Sequence, residues 1–325
     1  MNNTIKLSVN KKDSGRRLDV FLAENIKNLT RSFLKKTIEN KQVKINNKTL
    51  SSASRKVKFK DKILIDIKKN KQDIVPNNIK LDIVFEDNDI LVLNKPKGMV
   101  VHPGAGNYEK TLVNALLFKY KNNLSNINGN LRPGIVHRID KQTSGLLVIA
   151  KNNLAHSNLG NQFSKHLINR KYICLVWGVI RPLSGKIITL ITRDKKNRQL
   201  MTTSEIKGKK AITNYKTIKV FNIKDIPKIS LLECQLETGR THQIRVHLKY
   251  KGTSILGDKQ YGKKNIKFKK INDEFFLYLS KLTGQALHAK TIGFIHPNNK
   301  KSMNFNSDLP DDFKKILNLL EKLSG

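Results

Sequence analysis

Cysteine is nearly missing from this 325-residue chain: Cys174 and Cys234 are too few for a disulfide framework or a four-cysteine zinc site. Both lie in apolar, strand-like runs, where a thiol reads as inert core. Aromatic residues make up 6%, and 8 Pro with 18 Gly exclude collagen-like and low-complexity chains. No apolar run approaches the roughly 20 residues that cross a bilayer. The opening MNNTIKLSVNKKDSG has no signal-peptide apolar region, so a cytoplasmic protein without a membrane partner is expected. Most of all the chain is short of negative charge: 25 Asp+Glu stand against 63 Lys+Arg, a formal net charge of +38. Hydrophobic residues at 38% still allow a sizeable core, so this is not a disordered basic tail. The length suits one large domain or two, and two are expected.

A surplus of that size repels itself unless counterions or phosphates screen it. One reading is a lysine-padded, solvated surface in a chain rich in Lys, Asn and Ile. The other is a polyanion partner, nucleic acid before an anionic membrane, since no strongly amphipathic basic helix is visible. Residues 1–72 hold 20 Lys/Arg and 6 Asp/Glu, a surplus of 14, where a proportional share would be about 8.

In that stretch Leu18, Phe21, Leu22 and Ile26 recur at helical spacing. So do Phe33, Leu34 and Ile38, with Thr30 placed to cap the second helix. VKINNKTL reads as a hairpin around Asn46-Asn47, and DKILIDI as a strand. Arg31, Lys35 and Lys36 share one exposed helix face, suited to solvent or to phosphate. Residues 68–80, aperiodic and with Pro76, read as a linker. Beyond them IVFE and ILVLNKP form a hairpin whose second strand is apolar on both sides and hence central. Residues 111–120 and 152–166 read as helices, the second with Ala155, Leu159 and Phe163 in a stripe. SGLLVIAK, KYICLVWGVI, ISLLECQLE and ALHAKTIGFI read as strands. This order predicts an α+β fold: a large, mainly antiparallel mixed sheet with flanking helices over residues 81–325, preceded by a small α/β module over 15–67.

Cofactor and metal motifs fail on inspection. Glu109 stands where a dinucleotide fingerprint starting at Gly104 needs its third glycine. Near Gly185-Lys186, Ile187 replaces the hydroxyl that a phosphate loop uses to hold magnesium. His242 and His247 would lie about 140° apart on a helix, with no cysteine or carboxylate beside them. Neither a cofactor nor a metal is expected.

Three polar segments remain, each interrupting apolar elements. They are Gly134-Ile-Val-His137-Arg138-Ile-Asp140-Lys141 running on to Gly145, Asn169-Arg170-Lys171-Tyr172, and Leu236 to His247, where Gly239 permits a turn and Thr241 can cap a helix. A strand end loaded with His, Arg, Asp and Lys costs stability unless each charge is paired or used. The residues alone leave a buried Asp140–Arg pair and a functional cluster equally open.

These segments resemble the signatures of the RluA/RluD-type pseudouridine synthases. HRIDKQTSGL is similar to that family's motif around its catalytic aspartate, which places the aspartate at Asp140. The family's Arg-(Lys/Glu)-Tyr motif puts its strand tyrosine at Tyr172, and LETGRTHQIRVH puts the arginine that pairs the aspartate at Arg245. VHPGAGN at 101–107, QALHAK at 285–290 and the stretch from His296 to Phe313 extend the likeness, the first most like the RluD branch. GRRLDVFL resembles the S-four-type RNA-binding domain of that branch. Gln142 departs from the acidic residue usual at that position.

The resemblance implies conversion of uridines to pseudouridine in large-subunit ribosomal RNA, free or in an assembling subunit, by a monomeric enzyme without cofactor. Asp140 would act at C1′ of a flipped-out uridine, as nucleophile or as base in a glycal route. Arg245 would pair with and orient the carboxylate, and Tyr172 would pack on the uracil ring. Arg138 would fill the vacated stack or grip a phosphate; His137, Lys141, Arg240 and His242 would contact RNA near the site, and Arg16, Arg17, Arg31, Lys35 and Lys36 would do so from the N-terminal module. Another structured RNA such as tRNA, or a non-catalytic assembly factor, are the alternatives.

Overall fold

The computed structural model describes residues 3–26, 29, 31–67, 74–104, 106–121, 123–129, 131–224, 226–262 and 273–324. The chain divides into two compact units, residues 1–73 with the short stretch 127–130, and residues 74–126 with 131–325.

The small unit contains β1 (Asn3–Ser8), α1 (Leu18–Asn25), α2 (Arg31–Glu39), β2 (Val43–Ile45), β3 (Lys48–Leu50) and β4 (Lys62–Ile67). Its strands form one antiparallel sheet in the order β1-β4-β2-β3. Asn46 and Asn47 both take positive φ, 50° and 65°, as a two-residue type I′ hairpin requires and asparagine tolerates. Leu18, Phe21 and Leu22 of α1 and Leu34 and Ile38 of α2 close over Val43, Ile45, Ile63 and Ile65. Phe33 departs from expectation and is 42% exposed. Leu34 and Ile38, four apart, already share the inward face, and Phe33 lies more than a quarter of a turn away from both. Strand β1 has no counterpart among the expected strands; its Ile5 and Leu7 pack on this core. Thr30 and the side chain of Lys36 lie outside the described residues.

The large unit runs β5 (Ile83–Glu86), β6 (Ile90–Lys95), α3 (Leu112–Tyr120), β7 (Ser144–Ala150), α4 (Asn153–Ser164), β8 (Asn169–Trp177), β9 (Ser184–Arg193), β10 (Met201–Ser204), β11 (Lys209–Phe221), β12 (Ile229–Leu236), α5 (Gln243–Tyr250), α6 (Asp273–Lys281), β13 (Leu287–Ile295), β14 (Ser302–Asn306) and α7 (Asp311–Ser324). Its ten-stranded sheet has the order β10-β9-β11-β12-β8-β13-β7-β6-β5, with β14 beside β13. The α+β architecture expected from the sequence is the one adopted. β6 and β7 are buried on both faces, as their apolar runs require. Leu91, Leu93, Leu147 and Ile149 face the main core with Leu112 and Leu116 of α3. Their alternates Ile90, Val92, Leu146 and Val148 face Ala155 and Leu159 of α4. A capping box between Thr111 and Asn114 starts α3, and the Asn152 side chain caps α4.

Segment 68–80, read as a linker, divides in two. Residues 68–73 lie outside the described residues. From Ile74 the chain belongs to the large unit: Ile74 packs on the main core, and Asn114 Nδ2 donates to the Val75 carbonyl at 2.7 Å.

Among the described residues, all pairings in the large sheet are antiparallel except one, the short parallel seam of β13 with β7 at His288–Ser144 and Ala289–Gly145. Gly145 is needed there: its φ is +115°, and a Cβ would run into the Ala289 backbone. No helix among the described residues is long and apolar enough to cross a membrane.

Candidate active site

The loop into β7, the start of β8 and the start of α5 converge on one cavity of about 530 Å³. Asp140, Tyr172, Arg245, Arg138 and His242 all line it. Asp140 arrives in the turn ahead of β7, where the Thr143 N–H donates to its backbone carbonyl at 3.1 Å. Arg245 projects from the first turn of α5, whose start is built differently from expectation. His242 occupies the cap position in a left-handed conformation, φ 56°, and Thr241 makes no cap. Instead Gln243 Oε1 accepts from the Arg240 N–H at 2.9 Å and from the Thr238 hydroxyl at 2.8 Å. The Gln243 side chain thus ties the loop that precedes α5 to the start of the helix.

Arg245 is held from three sides. Its Nε and Nη2 donate to the two oxygens of Asp258 at 2.7 and 2.9 Å, and Nη2 also donates to Gln260 Oε1 at 2.8 Å. Its Nη1 is left for Asp140 Oδ2 at 3.0 Å. The guanidinium lies over the Tyr261 ring, 4.8 Å from its centroid. Burial works against the Arg245 charge, yet Asp258 and then Asp140 outweigh it and hold its pKa above the usual arginine value. Burial likewise opposes the Asp258 carboxylate, and the fork from Arg245 more than offsets it, so Asp258 sits below the ordinary range.

Asp140 Oδ1, by contrast, has no hydrogen-bond partner among the described residues; His242 Nε2 is 3.9 Å away. That imidazole is pushed towards neutrality by burial, against the pull of Asp140, and its Nδ1 is bonded to the Tyr261 hydroxyl at 2.8 Å. Tyr172 is buried, which raises its pKa; Arg170 pulls it down and Asp140 pushes it up. Lys95, fully buried, donates to the carbonyls of Pro96, Met99 and Lys141 at 2.7, 2.9 and 3.2 Å. Burial drives its pKa down to about 7 while the charge of Asp140 draws it up.

The other sequence-nominated residues fall into different roles. Arg138 is exposed and donates to His102 Nε2 at 3.1 Å. Arg240 lines the cavity with its Nε on the Lys210 carbonyl at 3.0 Å. Lys141 points to Asn107 Oδ1, 3.0 Å, and is not in the cavity wall. His137 is in the wall but not as a cation: its Nε2 accepts from the Val148 N–H at 3.1 Å, it stacks on Phe163, and burial lowers its pKa to about 3. It cannot grip a phosphate by charge. In the small unit Arg17 and Arg31 both pair with buried Asp19, at 3.0 and 2.8 Å, Arg16 pairs with Asp13 and Glu24, and Lys35 lies 3.7 Å from Glu39.

Residues 89–250 match the family described as RNA pseudouridylate synthase, and residues 16–63 match the S4 domain. The chain is 40% identical, over 98% of its length and 99% of the other, to an uncharacterized RNA pseudouridine synthase of Bacillus subtilis. The chain belongs to the RNA pseudouridylate synthase family. It is also 44% identical to the ribosomal large subunit pseudouridine synthase D of Zymomonas mobilis, over 94% of both chains. Among solved structures, human RNA pseudouridylate synthase domain containing 4 shares the fold, with a TM-score of 0.56 over 74% of this chain and 93% of the other, at 24% identity. This pseudouridine synthase therefore has the RluA-type catalytic fold behind an RNA-binding module, as its motifs implied.

Asp258, Gln260, Tyr261 and Lys95 are site residues that the sequence motifs do not nominate. Asp258 to Tyr261 follow Arg245 by 13 to 16 residues with no local pattern to link them. The sequence signal they carried was a lone carboxylate three residues ahead of a tyrosine in an otherwise basic stretch. Lys95 carried a clearer one, a lone lysine at the end of a strand apolar on both sides.

Proposed function

We propose that this enzyme acts as a monomer in the cytoplasm and isomerises specific uridines of large-subunit (23S) ribosomal RNA, with Asp140 as the group that acts at C1′. One observation carries the chemistry: Asp140 has one oxygen on Arg245 and the other without a hydrogen-bond partner among the described residues, in a cavity shared with Tyr172. The reaction breaks N1–C1′ and joins C5 to C1′; N1 gains a proton and C5 gives one up. When the base departs, the sugar becomes electron-poor and oxocarbenium-like, which a carboxylate beside C1′ stabilises. Arg245 cannot swing away while Asp258 and Gln260 hold it, so the Asp140 carboxylate is fixed in orientation before RNA arrives. Tyr172 offers a ring for the uracil to pack on while it turns, and its raised pKa favours packing over acting as a base.

The uridine must leave its stack to reach Asp140, at a cost of a few kcal/mol that is smaller in a loop than in a duplex. Arg138, exposed at the rim and parked on a neutral imidazole, is the side chain free to enter the space left behind. The N-terminal module would supply phosphate contacts, with Arg16, Arg17, Arg31, Lys35 and Lys36 as its donors. Relatives named for the large ribosomal subunit in several bacteria support that RNA as the substrate. The test is chemical-adduct sequencing of pseudouridine in cells with and without the gene. Disappearance of signals from large-subunit rRNA is expected; disappearance confined to tRNA would overturn the substrate, and no change anywhere would overturn the activity.

A further inference from the structure

The cavity has a second end that the chemistry at Asp140 leaves unused. Its wall is Phe163, Arg170, Gly239 and Arg240. Arg170 leaves β8 two residues before Tyr172 and is 7% exposed. A guanidinium this deep ordinarily has a carboxylate; this one has only the carbonyl oxygens of Leu236 and Glu237, at 3.5 and 3.2 Å from Nη2, among the described residues. Its Nε is buried with no partner among them. Its carbon lies over the Phe163 ring at 5.4 Å, which fixes the plane of the fork. Arg240 sits near enough to disfavour its charge, and the Arg240 Nε is bonded to a backbone carbonyl. Four arginines line this cavity, and Asp140 is the sole carboxylate among the described residues of its wall. Arg245 takes Asp140, and no second carboxylate in that wall faces the other pair.

Two adjacent guanidiniums, one buried and short of an acceptor, form a site for an oxyanion. A phosphodiester is the anion that comes with a flipped nucleotide, a few ångströms from the sugar carbon that Asp140 would face. We propose that the Arg170–Arg240 end of the cavity is a phosphodiester subsite for the linkage next to the target uridine, with Arg170 as its fixed donor. This rests on the uridine reading of the Asp140 end. Gly239 is part of the subsite by default: a Cβ there would stand 2.7 Å from Arg170 Nη1, so any side chain pushes the fork aside.

The test uses the full chain carrying Asp140→Asn, so that binding is read without turnover. The probes are synthetic large-subunit rRNA hairpins with a uridine in the loop and a neutral methylphosphonate on its 5′ or its 3′ side. Anisotropy titration should show at least a tenfold loss for one of the two linkages. Arg170→Gln added to the chain should weaken the all-phosphate hairpin by a similar factor and bind both forms alike. Gly239→Ala, which keeps every charge and displaces only the fork, should do the same in part. Equal binding of all hairpins by the parent chain, or a full methylphosphonate penalty persisting in a folded Arg170→Gln protein, would overturn the subsite. Should Arg170→Gln not fold, the Gly239→Ala protein decides: an undiminished penalty there refutes it. Absence of pseudouridine in the cellular mapping would count against the catalytic reading and leave this binding result standing.

Discussion

Each unit of the protein contains a triad of arginine and aspartate, and the two triads have opposite stoichiometry. In the small unit one buried carboxylate, Asp19, sits between Arg17 and Arg31, whose side chains are 48% and 56% exposed. In the large unit one buried arginine, Arg245, sits between Asp258 and Asp140. The first arrangement has a cation to spare at the surface, where water screens it and a phosphate can compete for it. The second has an anion to spare inside a cavity, and the arginine is so fully used that only Asp140 keeps an oxygen to offer. A pairing that is surplus positive and wet suits binding; one that is surplus negative and held suits chemistry.

Removing the surplus anion should have the largest effect. Asp140→Asn should abolish pseudouridine formation, read by single-turnover mass spectrometry, while RNA affinity stays within a few-fold. Turnover near that of the parent would remove Asp140 from the reaction. Next comes the inner partner. Asp258→Asn leaves buried Arg245 undercompensated, and Arg245→Met leaves both carboxylates so; each should cost about 3–5 kcal/mol in thermal unfolding and most of the activity. A stable, active Arg245→Met enzyme would contradict the arrangement.

Acid should separate the two units. His137 is held at about 3, and His247 and His288 at about 4, all by burial, against an ordinary 6.5. These bases are neutral when folded and charge when unfolded, so the stability they permit is present above pH 6.5 and is lost as pH falls towards 4. No histidine precedes His102. For Asp19, burial opposes the carboxylate but Arg17 and Arg31 lower its pKa, so its contribution is lost only as pH falls below 3.8. Segment-resolved hydrogen exchange should therefore show the large unit loosening first. Simultaneous loosening at pH 5 would break the distinction.

The smallest effects concern the wet triad. Asp19→Asn should lower thermal stability less than Asp258→Asn does and leave turnover intact. Deleting residues 1–73, a cut set by the packing of Ile74, should leave a folded enzyme whose binding is less salt-dependent. The log–log slope should shrink by about 0.7 for each phosphate that the module would otherwise neutralise. An unchanged slope would show that the module does not touch RNA.

Local patterns made much of this legible. The Asn46-Asn47 turn, the doubly apolar β6 and the helix over 112–120 follow from short-range chemistry, and the motif residues Asp140, Tyr172 and Arg245 do meet. What stayed hidden depends on partners far away. Strands β9 and β11 are mostly half-buried or exposed; β9 carries its apolar residues as the adjacent pairs Ile187-Ile188 and Leu190-Ile191 and β11 is rich in lysine, so neither shows a clean apolar alternation. Thr241 has the right chemistry for a cap, but the cap position falls on His242, in a left-handed conformation that local sequence does not announce. His137 reads as a cation in sequence and is neutral because it is buried, with Arg170 nearby adding to the effect and the Val148 N–H eleven residues on donating to its ring.

The parallel seam at Gly145 and Ala289 has a consequence in time as well as in space. On one side of it lie β5 to β7, with Asp140 in the turn that feeds β7; on the other lie β8, which carries Tyr172, and α5, which carries Arg245. Strands 144 residues apart must find each other to close it, from His288 to Ser144, and contacts of such separation are slow to form because a long loop must close first. Until then the Asp140 carboxylate and its arginine belong to different pieces of unfinished sheet. A chain stalled at that stage would carry every motif in its sequence with Asp140 and Arg245 still apart, so the proposed centre is assembled only when that seam closes.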